Sequence, residues 1–286
     1  MMEKKERIGK RRSRVGAIIR FEFMQNAIYA GILTSIICGI IGVFVVTKRL
    51  VFISGGISHT AFAGLGIAYY LGANPVYGAI IIALFSAIGI GIARQGKVQQ
   101  NDTIIGVLWA VGMAIGIVFI HITPGYTPNL MSYLFGNILM VSRKDLWLTF
   151  FMAIVVIVTI IVFFKEFVAL SFDEEFSRVQ GLATGWLNIL LLILIALTVV
   201  MLIQVVGIIL VIALLTIPPS ISLELTTNFT KAMKFSVIAG MIMTLGGLVV
   251  SFYLDIPSGP AIILLGALLL IIITMSKRSR ALMRFF

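Results

Sequence analysis

Charge is scarce in this 286-residue chain: Asp, Glu, Lys and Arg make up 12% of it and 60% is hydrophobic. Soluble domains carry about 25% charged residues, so a water-soluble globular fold is excluded and the bilayer is left as the solvent. Cysteine is almost absent. Cys38, alone inside an apolar run, offers neither an intrachain disulfide nor a thiolate metal site, and it leaves the redox compartment unread. Histidine occurs only at His59 and His121, with no H-E-x-x-H, so an intramembrane metalloprotease has no zinc-binding framework. A nucleotide-binding loop is missing too, because Gly9-Lys10 and Gly96-Lys97 lack the upstream glycine and following hydroxyl of G-x-x-x-x-G-K-[ST]. Any ATP that powers this protein is hydrolysed by another chain.

What the chain has in abundance is long apolar runs. They fall at 26–47, 50–71, 75–93, 103–122, 146–164, 186–205, 206–223, 235–254 and 259–275, most of them near the roughly 20 residues that a hydrocarbon core demands. The pattern predicts an all-α polytopic membrane protein with nine spans in one domain covering residues 1–286. A tenth apolar stretch, 130–141, is too short to cross and reads as a short helix on the outer membrane surface.

The formal charge of +11 is a topology signal here and not a nucleic-acid footprint, since no basic-aromatic recognition surface accompanies it. Cytoplasmic loops are enriched in Lys and Arg. Placing Lys277, Arg278, Arg280 and Arg284 inside also places Lys48/Arg49, Arg94/Lys97, Lys165/Arg178 and Lys231/Lys234 inside, and leaves Arg143 and Lys144 outside. The basic tail, residues 1–20, reads as uncleaved, because the run after it is too long for a signal-peptide core. An odd number of spans puts that tail outside, against the charge rule.

An ionisable side chain inside a span costs about 2.5–3.5 kcal/mol on insertion scales, so each one is a functional candidate. His59 is the deepest, near the bilayer midplane within the small and polar stretch 54–64. It reads equally well as a histidine hydrogen-bonded to a neighbouring helix or as a ligand on a metal route. Ser58 beside it, His121 at the outer end of the fourth span, and Glu224 and Asp255 at the ends of late spans are lesser candidates for a pathway or gate. For both carboxylates, solvation or capping is the plainer role. Pro218-Pro219 predicts a kink or carbonyls facing a cavity. The stretch 173–182 has an acidic start, with Phe176, Val179 and Leu182 at helical spacing and Gly181 or Gly185 as a stop. It predicts a short amphipathic cytoplasmic helix, either resting on the membrane or docking a partner.

Taken together in their order, Phe23-Met24-Gln25-Asn26-Ala27, the segment 42–49, Ile57-Ser58-His59-Thr60-Ala61, Asn101-Asp102-Thr103, Tyr133-Leu134-Phe135-Gly136-Asn137, and the segments 172–182, 206–219 and 254–259 resemble the permease family of ABC importers for divalent metal ions of the zinc, manganese and iron type. The resemblance implies a multi-pass protein of the cell membrane, folded like the vitamin B12-type permeases. It also implies a second permease copy, two cytoplasmic ATPase subunits, an extracellular metal-binding solute-binding protein, a metal cation as substrate, and no resident cofactor. The segment 165–185 becomes the coupling element, with Asp173, Glu174, Glu175, Phe176 and Gly181 facing the ATPase. Family members commonly have an aspartate four residues before the intramembrane histidine, and here Gly55 stands there. A gradient-driven secondary transporter is the rival reading; it calls for paired carboxylates within spans and discontinuous helices in repeated halves, and neither is evident.

Overall fold

The computed structural model describes residues 21–94, 101–124 and 136–282, and among these there are helices and no strand. Nine helices are long and apolar enough to span. They are α1 (Glu22–Thr47), α2 (Val51–Tyr70), α3 (Pro75–Ala93), α4 (Asn101–Ile122), α5 (Arg143–Val162), α8 (Thr184–Val206), α9 (Ile208–Leu225), α10 (Phe229–Leu254) and α11 (Ser258–Leu282). Between α5 and α8 lie the shorter α6 (Phe164–Phe172) and α7 (Glu174–Val179). The tail 1–20 lies outside the described residues.

Helix starts follow local chemistry. Asn74 caps α3 by accepting from the Val76 N–H at 2.9 Å, with Pro75 as the first helical residue. Ser142 and Asp145 form a capping box on α5, which draws Arg143 and Lys144 into its first turn, three residues before the apolar run begins. Asn228 caps α10 by accepting from the Lys231 N–H at 3.0 Å, so Lys231 and Lys234 are helical. Between α8 and α9 there is no loop: Gly207, at φ +80°, makes the joint alone, in a region that residues with a Cβ seldom enter.

The interior is built from α1, α2 and α8, while α3, α4, α5, α10 and α11 carry exposed apolar side chains such as Phe85, Ile161 and Leu264 on the outside. Apolar surface facing outward is what lipid requires. Helix α1 packs on α9, α10 and α5; α2 packs on α3 and α4; α8 bridges α3, α5 and α2. Lipid supplies no hydrophobic drive between helices, so close backbone approach carries much of the attraction. A Cβ at Gly64 of α2 would strike the Gly78 carbonyl of α3, and one at Gly66 would lie 2.5 Å from the Gly116 carbonyl of α4. Ser35 and Thr244, both buried, join α1 to α10 through their hydroxyls at 3.0 Å.

Pro218 and Pro219 are both buried within a continuous α9, and Gly42 of α1 seals them: a Cβ there would lie 2.5 Å from the Pro219 ring and 2.7 Å from the Leu215 oxygen. That carbonyl, which Pro219 cannot serve for want of an N–H, meets a neighbouring helix and no cavity. Of the short helix expected at 130–141, residues 130–135 lie outside the described residues. The remainder holds one 3-10 turn, Ile138–Met140, with Ile138 buried and Gly136 against the backbone of Val206 and Gly207.

Lys48, Arg49, Arg94, Lys165, Arg178, Lys231, Lys234 and Lys277 all fall at one end of the bundle. The other end has Arg143, paired with Glu22 at 2.8 Å, together with Lys144, Asp145 and Asp255. Among the described residues, this is the asymmetry that the charge rule associates with the cytoplasmic face at the first end.

Candidate functional site

Helix α2 contains no Asp, Glu, Lys or Arg. His59 stands about 12 Å along it from Val51, at 1.5 Å per residue, close to the midplane. Two of the four residues in the preceding turn, Gly55 and Gly56, have no side chain. Gly56 lets Ile105 of α4 close in, since a Cβ at 56 would be 2.6 Å from its Cγ2. Trp109 of α4 then lies across the vacated surface: it stacks on the His59 imidazole with centroids 4.4 Å apart and planes 17° apart. The same indole covers Gly55, where a Cβ would lie 3.0 Å from its Cζ3 and 3.3 Å from its Cη2. Phe52 flanks the indole at 5.7 Å. His59 Nδ1 is buried and has no hydrogen-bond partner among the described residues, so the hydrogen-bonded alternative finds no support at that atom.

The other sequence candidates do not converge on His59. Ser58 is fully buried and donates to the Ser54 carbonyl of its own helix at 2.7 Å. His121 is exposed at the outer end of α4. Asp255, exposed, ends α10 in the left-handed region at φ 53°. Glu224, at the cytoplasmic end, is 3.0 Å from the Lys277 ammonium. Among the described residues no group of three or more His, Cys, Asp or Glu could hold a metal. Trp109 escaped the sequence reading: an aromatic in a charge-free helix looks like any lipid-facing or core residue until the register between two helices is known.

At the cytoplasmic end the polar chemistry is denser. Lys48, whose side chain is 7% exposed, donates to the Leu170 carbonyl at 3.1 Å and to Glu174 Oε2 at 3.5 Å. Burial pushes its pKa below the usual lysine value, with the neighbouring Glu174 carboxylate opposing that shift. Glu174 Oε1 accepts from Asn188 of α8 at 2.8 Å. Asp173 ends α6 and caps α7, accepting from the Phe176 N–H at 2.9 Å.

The expected single apolar face of 173–182 is divided. Phe176 is 59% exposed and Val179 85%, and Glu175, between Glu174 and Phe176, is exposed as well, while Leu182 packs against the core. The reason is Gly181, whose φ of +87° reverses the chain after α7 and sends Leu182 back beneath the bundle.

The ABC 3 transport family profile matches residues 20–277. This chain belongs to the ABC 3 transport family. Its relatives in the ABC 3 family include a protein of Synechocystis sp. named uncharacterized membrane protein slr2045, 43% identical over 250 residues that cover 87% of this chain and 89% of the relative. Another is the manganese transport system membrane protein MntC of Halalkalibacterium halodurans, 33% identical over 252 residues, 88% of this chain and 86% of that one. The solved structure of PsaBC from Streptococcus pneumoniae in complex with Fab superposes with a TM-score of 0.81 at 28% identity, covering 91% of this chain and 93% of that one. The ABC 3 assignment and the nine apolar helices together make this a multi-pass membrane permease.

Proposed function

We propose that this ABC 3 permease imports a divalent metal cation as a dimer, with ATPase subunits on the cytoplasmic face and an extracellular solute-binding protein delivering the ion. The observation that carries the reading is α7: a helix on the basic end whose Phe176 and Val179 are largely exposed, tied through Glu174 to Lys48 and Asn188. An exposed apolar pair on a short helix with an acidic first turn suits a groove on a soluble partner. The name of the MntC relative supports metal as the cargo.

In this mechanism two copies of His59 line the route and the ion touches the imidazole in passing. Weak coordination suits passage, because an ion bound too firmly does not leave. Closure of the ATPases on ATP displaces α7. The Glu174–Lys48 contact passes that displacement to the turn between α1 and α2, and α2 carries His59. ATP hydrolysis belongs to the partner, and this chain converts its work into a change of access.

Phe176→Asp tests the reading directly. Membrane insertion and thermal midpoint are expected to stay unchanged, while co-purification of ATPase subunits and ATP-dependent metal uptake are lost. Retention of both overturns α7 as the docking element, and ion-gradient-driven uptake by the purified chain alone replaces the importer with a secondary transporter.

A further inference from the structure

The midplane of this permease differs from a general cation site in what it withholds. Glu22, Asp102, Asp145 and Glu224 are the carboxylates of the nine long helices, and each lies within a first or last turn. The position that shares a helical face with His59 one turn earlier, and so could add a second ligand, is Gly55. The space above Gly55 is filled: the Trp109 indole lies within contact of any Cβ placed there and stacks on the imidazole at the same time. One ring therefore crowds a side chain at 55, which could enter only if the indole gave way by a few tenths of an ångström, and covers one face of His59, so that a ligand reaches the imidazole only at its edge. Nδ1, on that edge, is buried and unpartnered.

Imidazole suits iron, zinc and their neighbours, whereas carboxylate and carbonyl oxygens suit manganese and magnesium. We infer that Trp109, seated on Gly55, is a selectivity and positioning residue that makes the midplane an imidazole-only site, favouring zinc and ferrous ions over manganese. The inference rests on the reading of His59 as part of the route. It assigns His59 the ligand role, Trp109 the placing of the ring, and Gly55 the room that lets the indole lie flat.

The permease, reconstituted with its ATPase subunits in proteoliposomes, is assayed for uptake of Zn2+, Fe2+ and Mn2+ separately and in competition. Wild type is expected to favour zinc and iron over manganese by roughly tenfold or more in kcat/KM. The double variant Gly55→Asp with Trp109→Ala clears the indole and supplies an oxygen ligand, and is expected to move the preference toward manganese. Gly55→Asp alone, meeting the indole, is expected to transport poorly, and Trp109→Phe to keep the wild-type ion order through a conserved stack. A second readout needs no turnover: Co2+ is expected to quench the fluorescence of wild type, with most of that quenching absent from Trp109→Phe. Manganese carried as well as zinc and iron by wild type, an unchanged ion order in the double variant, or equal quenching in Trp109→Phe overturns the inference while His59→Ala remains inactive. Full uptake by His59→Ala overturns the underlying reading instead.

Discussion

At the cytoplasmic end of α1, Lys48 is nearly sealed from solvent, yet its ammonium reaches a carbonyl and a carboxylate, and that carboxylate holds Asn188 in turn. One half-span away, His59 has a buried nitrogen that no described group satisfies, under an aromatic lid. Buried polar groups are overwhelmingly hydrogen-bonded, and His59 Nδ1 is one of three described exceptions, with Thr47 Oγ1 and Ser236 Oγ; of these the imidazole nitrogen is the one that the proposed function gives a passing partner. The satisfied cluster ties the end of α1 to α6, α7 and α8 and suits transmission. The unsatisfied one suits a transient ligand.

The comparison can be broken at the packing that supports both regions. Gly64→Leu drives a side chain into the α3 backbone at Gly78, and is expected to destabilise by about 3 kcal/mol through overpacking. The purified permease should lose its monodisperse elution profile; an unshifted thermal midpoint would show that α2 does not depend on that approach.

Glu174→Gln sharpens it from the satisfied side. The variant strips the counter-charge from a buried ammonium, at an expected cost of about 1–3 kcal/mol, read as a lower thermal midpoint and weaker stimulation of the ATPase. The pH trend has a definite sign. A folded-state pKa below the usual lysine value means that the unfolded chain binds more protons in the alkaline window between the two values, so stability rises with pH there. Without the Glu174 charge opposing the shift, the midpoint of the variant should climb with pH more steeply than that of wild type. A parallel climb would remove the pair from the account.

His59→Ala probes the unsatisfied side. It removes no hydrogen bond at Nδ1 and forfeits one ring stack, worth about 1 kcal/mol, so folding survives while metal uptake collapses. Normal uptake would take His59 off the route. The smallest effect is expected from Glu224→Ala, whose pairing with Lys277 is solvent-exposed on both sides and worth about 0.5 kcal/mol. A larger drop in midpoint would mean that the α9 and α11 ends are more tightly coupled than their exposure suggests.

Much of the architecture could be read from residues in order. The helices α3, α4, α8 and α9 begin and end within two residues of the apolar runs, and the displaced starts of α5 and α10 trace to Ser142 and Asn228, cap residues lying just outside those runs. His59 and the 173–182 segment stood out because charge and polarity are expensive or conspicuous in such a chain. Trp109 did not, since nothing in its own helix distinguishes it. Nor did the outward turn of Phe176 and Val179, which depends on the chain reversal at Gly181 and not on the spacing of the apolar residues.

The sequence by itself determined the number of apolar crossings and roughly where each lies, because the bilayer acts on each segment singly through its length and its apolarity. Only the tertiary structure decided that Trp109 lies over Gly55 and His59, that Gly42 closes the proline pair, and that Lys48 finds Glu174. In helices apolar all round, no stripe announces which face turns inward, so the contacts between them are set by where small residues permit two backbones to meet.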